Sequence, residues 1–160
     1  MTSHNLCRRK VLKSATALLA MSPLAAAAEG AAHTIHVVKD PDCGCCNSWI
    51  GHLRDNGFTV SFEERSPVAL TAFKRERGIP DELASCHTAT TGDYMIEGHV
   101  PAADIRRLLA ERPDAVGLAV PGMPYGSPGM GPESAREAYD VLLIRRNGTA
   151  EVFAHYPAAG

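Results

Sequence analysis

Residues 33–62, HTIHVVKDPDCGCCNSWIGHLRDNGFTVSF, decide the fold of this chain. The segment begins with an alternating, β-branched run that predicts a strand over 33–39. Apolar residues at helical spacing follow, and Gly57 can adopt the left-handed conformation that ends a helix. A second alternating run predicts a strand over 58–62. The order strand, helix, strand predicts parallel pairing in an α/β sheet.

The pattern downstream continues the same domain. Ser66 followed by Pro67 predicts the start of a second helix, which Gly78 ends. Two short runs on either side of Gly92 and Asp93 predict a hairpin. A third helix is predicted over 101–111. At 160 residues, with 45% hydrophobic and 21% charged residues, the chain fits one globular domain.

The C-terminal part combines a long loop with a strong turn signal. Residues 120–132 are rich in Gly and Pro, and a loop of this length is usually functional or disordered. Asn147-Gly148 lies between two apolar runs and predicts a C-terminal β-hairpin. The predicted fold class is therefore α/β, with a βαβ start, a mixed sheet and a C-terminal hairpin.

The first 28 residues have the composition of a leader. Arg8 and Arg9 precede an apolar stretch that ends in four alanines, as in a secretory signal peptide, and the pair partly resembles a twin-arginine signal. We therefore expect a signal peptide at 1–28, an exported, periplasmic domain at 29–160 and no membrane span after cleavage. Cys7 would leave with the leader. The full chain has a net charge of −2, which argues against nucleic-acid binding. The mature chain would carry 12 basic and 18 acidic residues, a net charge of −6.

A cluster of cysteines lies between the first strand and the first helix. Cys43, Cys45 and Cys46 fall within four residues, where the unpaired N–H groups and the dipole of a helix stabilise thiolate. Cys43 and Cys46 also form a C-x-x-C pair beside a βαβ unit, a pattern typical of thioredoxin-like proteins.

The third thiol, Cys45, favours metal binding over simple redox chemistry. Crowded sulfurs suit Cu(I), and Cys86 would add a fourth sulfur. Zinc also binds four thiolates, but structural zinc sites usually have two separate C-x-x-C pairs. Structural disulfides are the other interpretation, and a thiol–disulfide oxidoreductase that uses Cys43 and Cys46 is a third.

Three further residues are candidate ligands. His87 follows Cys86 and is either a ligand or a surface histidine at a strand edge. Met123 and Met130 lie in the Gly/Pro-rich loop, where they either offer thioether sulfur to Cu(I) or fill gaps in the core. The pattern assigns no ligand role to the remaining residues: Trp49 is predicted to be a core residue, the run 74–77 a solvated helix face, and His36, His52, His99 and His155 plain histidines.

The chain resembles the CopG family of exported proteins associated with copper resistance. The resemblance covers about residues 34–156 and rests on Cys43-Gly-Cys-Cys46 with Trp49, Gly78-Ile-Pro80, Ser85-Cys-His-Thr88, Ile96-Glu-Gly-His-Val-Pro101, Gly117-Leu-Ala-Val-Pro-Gly-Met-Pro124, Gly126-Ser-Pro-Gly-Met130 and Tyr139-Asp-Val141. It implies a thioredoxin-like fold and copper binding by Cys43, Cys45, Cys46 and Cys86.

These observations together predict a periplasmic protein that binds Cu(I), as one ion or several, in copper tolerance. Its expected partners are copper ions and other periplasmic copper-handling proteins. A copper or thiol–disulfide oxidoreductase stays open as an alternative, so the sequence leaves enzyme activity undecided. A structural module with one disulfide and no metal is the remaining interpretation.

Overall fold

A mixed β-sheet runs through the middle of the structure. The computed structural model describes residues 33–160, so the predicted leader at 1–28 and Cys7 lie outside the described residues. The described residues form seven strands and three α-helices, in the chain order β1 (Thr34–Lys39), α1 (Gly44–Asp55), β2 (Thr59–Glu64), α2 (Pro67–Glu76), β3 (His87–Thr91), β4 (Tyr94–Glu97), α3 (Ala102–Glu111), β5 (Gly117–Ala119), β6 (Tyr139–Ile144) and β7 (Ala150–Tyr156). The order in the sheet is β2-β1-β3-β4-β5-β6-β7. The predicted single α/β domain is confirmed.

The βαβ unit at the start of the domain is present as predicted. β1 and β2 pair in parallel from Thr34 opposite Thr59 to Lys39 opposite Glu64. α1 turns its apolar stripe inward, so the side chains of Trp49 and Leu53 are fully buried. The helix gives way to the next strand at Gly57, which has a positive φ of 78°.

Both predicted hairpins and both later helices also form. Ser66 precedes α2 and accepts a hydrogen bond from the Ala69 N–H at 3.4 Å, which satisfies one free donor of the first turn. β3 and β4 pair antiparallel around Gly92, and β6 and β7 form the C-terminal hairpin.

The sheet contains one strand that the sequence does not predict. β5 pairs in parallel with β4 and antiparallel with β6, and so joins the C-terminal hairpin to the rest of the sheet. It has three residues and begins with Gly117, too short a run to show an alternating pattern.

Helices cover both faces of this sheet. Along β1, Ile35 and Val37 pack with α1 and α3, whereas Val38 points to the other face and packs with Leu70 and Phe73 of α2. The alternation follows from the two-residue period of a strand and gives the domain two apolar layers. Among residues 33–160, none of the helices combines the length and the apolarity that a bilayer crossing needs.

The Gly/Pro-rich loop 120–132 packs closely against α1. Ser127 is fully buried, and its hydroxyl donates to the Pro124 carbonyl at 2.7 Å. Gly129 has a φ of +84°, and a Cβ at this position would lie 2.6 Å from the Trp49 amide nitrogen and 3.1 Å from the Cys45 carbonyl oxygen. Only glycine allows the loop to approach the first turn of α1 this closely.

We expect Gly129→Ala to lower the free energy of unfolding by about 3 kcal/mol, because the new methyl group clashes with the backbone of α1 and the left-handed conformation is strained. Gly122→Ala is the matched control, since Gly122 has a φ of +67° but no atom within 4 Å of the added Cβ. Gly122→Ala should lower the free energy of unfolding by about 1 kcal/mol, because it introduces only the strain of the left-handed conformation. Urea unfolding of both variants measures the difference, and equal losses would contradict the close contact.

Candidate metal centre

Three cysteine sulfurs gather at the start of α1. Cys43 is the residue that caps the helix, with extended backbone angles, and its Sγ accepts the Cys46 N–H at 3.3 Å. Its sulfur therefore occupies the position usually taken by a serine or aspartate oxygen, at the positive end of the helix dipole. The buried Lys39 steadies the preceding turn, because its ammonium group donates to the Asp40 carbonyl at 3.0 Å.

The pairing of two strands brings Cys86 to this cluster. β1 pairs antiparallel with β3, and Lys39 at the end of β1 lies opposite His87 at the start of β3. The residue before His87 therefore lies beside the residues after Lys39. The Cys86 Sγ is 3.8 Å from the Cys45 Sγ, which is 3.5 Å from the Cys43 Sγ.

All four cysteines predicted as ligands thus meet. The sulfurs of Cys43, Cys45, Cys46 and Cys86 all lie within 4.8 Å of one another. Cys46 is buried and the other three are partly buried. The arrangement is a compact group of soft donors that one ion or several bridged ions could share.

Two of the four sulfurs are joined in a disulfide. Cys43 and Cys46 form the bond, with their Cα atoms 5.4 Å apart, and Cys45 and Cys86 are free thiols. The sequence left open whether structural disulfides use these cysteines. The structure forms one bridge within the C-x-x-C pair and leaves two thiols side by side.

Cys86 also contacts two histidines. Its Sγ lies 3.3 Å from the His87 Nδ1 and 3.2 Å from the His99 Nε2. These three side chains form a second group of candidate ligands that shares Cys86 with the first. The interpretation of His87 as a surface histidine is wrong, because its side chain is fully buried.

His99 is a site residue that the sequence analysis missed, having treated it as a plain histidine. It lies two residues after the end of β4, the strand that pairs with β3, and is fully buried. Its only sequence signal is its place in the motif Ile96-Glu-Gly-His-Val-Pro101. Of the four histidines that the pattern left without a ligand role, the remaining three contact residues away from the cysteines, namely Ser61 for His36, Ala102 for His52 and Asp140 for His155.

The two histidines near Cys86 are neutral imidazoles. Burial lowers the pKa of His87 well below its ordinary value and also lowers the pKa of His99. The His99 Nδ1 lies 2.7 Å from the Pro128 carbonyl oxygen. Because a carbonyl can only accept, Nδ1 carries the proton and the Nε2 lone pair faces Cys86. His87 stacks on Trp49, with ring centroids 4.3 Å apart, and its buried Nε2 has no hydrogen-bond partner among the described residues.

The thiol of Cys86 is protonated without a metal. Burial raises its pKa to about 12, and the neighbouring Cys45 adds to the rise. The helix N-terminus was expected to favour thiolate in the cluster, but Cys86 lies outside α1, and burial dominates there. A metal ion would have to displace this proton, as ions do when they bind thiols.

A buried ion pair lies next to the segment that carries Cys86. The Lys74 Nζ donates to the Glu97 Oε1 at 2.5 Å and to the Thr88 hydroxyl at 2.6 Å. The prediction of a solvated helix face at 74–77 is therefore wrong for Lys74, whose side chain is only 7% exposed. Burial lowers the pKa of Lys74 and raises that of Glu97, while each charge opposes the shift of the other.

Both candidate methionines lie in the loop 120–132. Met123 is 54% exposed, so the interpretation that it fills a gap in the core is wrong. Met130 is partly buried, and its N–H donates to the Ser127 carbonyl at 2.8 Å. Their role as ligands stays a prediction.

The fold and this site define a mixed α/β protein with a cysteine-rich candidate metal centre. Residues 83–130 match the family described as "Protein of unknown function, DUF411". Two solved structures, titled "Copper resistance protein copG- Form 1" and "Form 2", are each 47% identical to the chain. Each similarity covers 78% of this chain and 98% of the other, with TM-scores of 0.73 and 0.71. No curated protein matches the chain. The chain belongs to the CopG family.

The raised pKa of Cys86 predicts slow alkylation that accelerates steadily with pH. In Cys45→Ser with the Cys43–Cys46 disulfide intact, Cys86 is the one free thiol of the described residues. Its reaction rate with iodoacetamide should rise about tenfold per pH unit from neutral pH upwards, because the thiolate fraction follows pH below the pKa. Free cysteine, the control, levels off above its pKa of about 8.5. A plateau for Cys86 at the same pH as the control would contradict the effect of burial.

Proposed function

We propose that this chain is a periplasmic protein of copper resistance that holds Cu(I) on the thiolates of Cys43, Cys45, Cys46 and Cys86. The observation that carries the proposal is the meeting of four sulfurs within 4.8 Å. The similarity to proteins titled as copper resistance proteins supports copper as the ion.

The donors suit a soft ion. Thiolates are preferred ligands of Cu(I), and neutral imidazoles such as His87 and His99 are compatible with it. A tetrahedral ion with metal–sulfur bonds of about 2.3 Å keeps its sulfurs about 3.8 Å apart. The Cys45–Cys86 separation of 3.8 Å and the Cys43–Cys45 separation of 3.5 Å are close to that spacing. The free thiols of Cys45 and Cys86 therefore need little rearrangement to accept an ion between them.

The disulfide sets a condition for full binding. While Cys43 and Cys46 are bonded to each other, they offer no thiolates. Two electrons and two protons convert the disulfide to two thiols, and the set of four becomes complete. Copper binding by all four cysteines therefore requires a reductant, such as a dithiol.

The residues around Cys86 prepare its sulfur for the ion. The neutral His99 Nε2 faces the Cys86 Sγ at 3.2 Å and can accept the thiol proton as the thiolate binds copper. His87, whose Nδ1 lies 3.3 Å from the Cys86 Sγ, and the methionines Met123 and Met130 are the proposed additional ligands.

The remaining parts of the proposal concern location and fold. The expected leader at 1–28 would export the chain to the periplasm, where copper ions and other copper-handling proteins would be its partners. The βαβ unit followed by a hairpin and α3, with the C-x-x-C pair at the start of α1, supports a thioredoxin-like unit.

The reduced protein should bind Cu(I) tightly, and Cys45→Ser should weaken binding by at least about a hundredfold, because Cys45 lies between Cys43 and Cys86. Anaerobic titration against a Cu(I)-specific chelator measures both affinity and copper per chain. More than one ion per chain would indicate a multinuclear thiolate cluster.

The matched control is Ser48→Ala, an exposed position in the same helix whose hydroxyl, among residues 33–160, donates a hydrogen bond only to the Gly44 carbonyl. It should leave affinity unchanged. Equal affinities and stoichiometries in the Cys45→Ser and Ser48→Ala variants would refute a site centred on Cys45. The disulfide form of the unmodified protein should bind less copper than the reduced form, and equal binding would refute the role of Cys43 and Cys46.

A second candidate function is a copper or thiol–disulfide oxidoreductase, and the Cys43–Cys46 disulfide favours it. This function predicts that Cys43 and Cys46 equilibrate with a glutathione buffer and that the protein turns over with a disulfide substrate. Cys45 would be dispensable, so Cys45→Ser should retain turnover while Cys46→Ser loses it. If the unmodified protein shows no turnover but binds Cu(I) tightly, the oxidoreductase function is refuted and copper binding is the proposed function that stands.

A further inference from the structure

The buried ion pair of Lys74 and Glu97 lies at a point where three elements meet the Cys86 segment. Lys74 comes from α2, Thr88 from β3 and Glu97 from the end of β4. The side chain of Glu97 is fully buried and that of Lys74 is 7% exposed. An ion pair in this position costs desolvation energy that a pair of apolar residues would not, so its presence beside a candidate metal centre needs an explanation.

The carboxylate of Glu97 holds the chain on both sides of Cys86. Its Oε1 accepts the Ser85 N–H at 2.6 Å, and its Oε2 accepts the Thr88 hydroxyl. Ser85 precedes Cys86 directly, and Thr88 follows it by two residues. Because these bonds hold the chain on either side of Cys86, they also hold its sulfur in position beside the start of α1.

Lys74 brings a positive charge to the same place. A cleft of about 350 Å³ beside the cysteines is lined in part by Cys43, Ser85, Cys86 and Lys74. Among the described residues that line it, Lys74 is the only cation, and Asp40 and Asp42 are the anions. The charge of Lys74 therefore acts on Cys86 through a partly buried medium, where screening is weak.

The charge of the site changes when the first copper ion binds. Two thiols and one Cu⁺ give a dithiolate complex of charge −1 and release two protons. A fixed positive charge nearby favours this change, and a fixed negative charge opposes it. Lys74 and Glu97 together are neutral, so removing either charge leaves the other acting alone on the thiolates.

We infer that Lys74 and Glu97 are positioning residues of the copper site: Glu97 fixes the segment that carries Cys86, and the balance of the two charges sets the affinity for the first Cu(I) ion. The inference rests on the proposed function. The two residues act through Cys86 and touch no ion themselves.

Three variants separate this charge effect from a structural role. Lys74→Met removes the cation, Glu97→Gln removes the anion while its amide oxygen can still accept the Ser85 N–H, and the double variant removes both charges. Lys74→Met should weaken binding of the first Cu(I) ion about tenfold, the factor of one pKa unit of interaction. Glu97→Gln should strengthen it by a similar factor, and the double variant should lie within about threefold of the unmodified protein.

The matched control is Arg75→Met, which breaks the exposed ion pair with Asp81 on the same helix and should leave copper affinity unchanged. Affinity is measured on reduced, folded protein by chelator competition, and urea unfolding is measured separately. If Lys74→Met does not fold, Lys74→Gln, which keeps a donor for Glu97, should show the same weakening. Shifts of both single variants in the same direction, or no shift in either, would overturn the inference. If the unmodified protein binds no Cu(I), the proposed function itself fails, an outcome distinct from tight binding that the charges do not change.

Discussion

The antiparallel pairing of β1 with β3 is the constraint on which the candidate metal centre depends. It places Lys39 opposite His87 and so brings together two segments of chain that are 41 residues apart in sequence at Cys45 and Cys86. A shift of this register by one residue would turn Cys86 away from α1, because successive side chains of a strand point to opposite faces. The βαβ unit supplies three sulfurs locally, and the β1–β3 pair supplies the fourth.

Burial gives this site its chemical character. The same packing that raises the pKa of Cys86 lowers the pKa values of His87 and His99, so the three groups meet as neutral donors. Neutral imidazoles are ready to bind a metal, whereas the thiol must first lose its proton. Copper binding is therefore coupled to proton release, and the charges around Cys86 influence that coupling. Copper binding is also coupled to reduction of the Cys43–Cys46 disulfide, since reduction completes the set of four thiols.

The sequence predicted most of the fold because its signals are local. Alternation, helical spacing and Gly57 define the βαβ unit, and Asn147-Gly148 defines the last hairpin. Cys43, Cys45 and Cys46 were visible as a cluster for the same reason, whereas the place of Cys86 followed from the family resemblance. β5 was not predicted because three residues are too few to show a periodic pattern. His99 was not predicted as a site residue because its contact with Cys86 depends on strand pairing across the sheet.

Lys74 shows how a local signal can be misread. It lies four residues after Leu70 and next to Phe73, both buried, so helical spacing already placed it on the inner face of α2. Its charge and the charged residues that follow it suggested a solvent-exposed position for the side chain instead. A lysine at a buried helical position requires a partner, and the buried Glu97 provides it.

X-ray absorption at the copper edge, on reduced protein loaded with one equivalent of Cu(I), tests the central claim most directly. The account predicts a Cu(I) edge and a first coordination shell dominated by sulfur, which Cys45→Ser depletes. A shell of nitrogen and oxygen alone, unchanged by that substitution, would contradict a copper site built on the cysteine cluster.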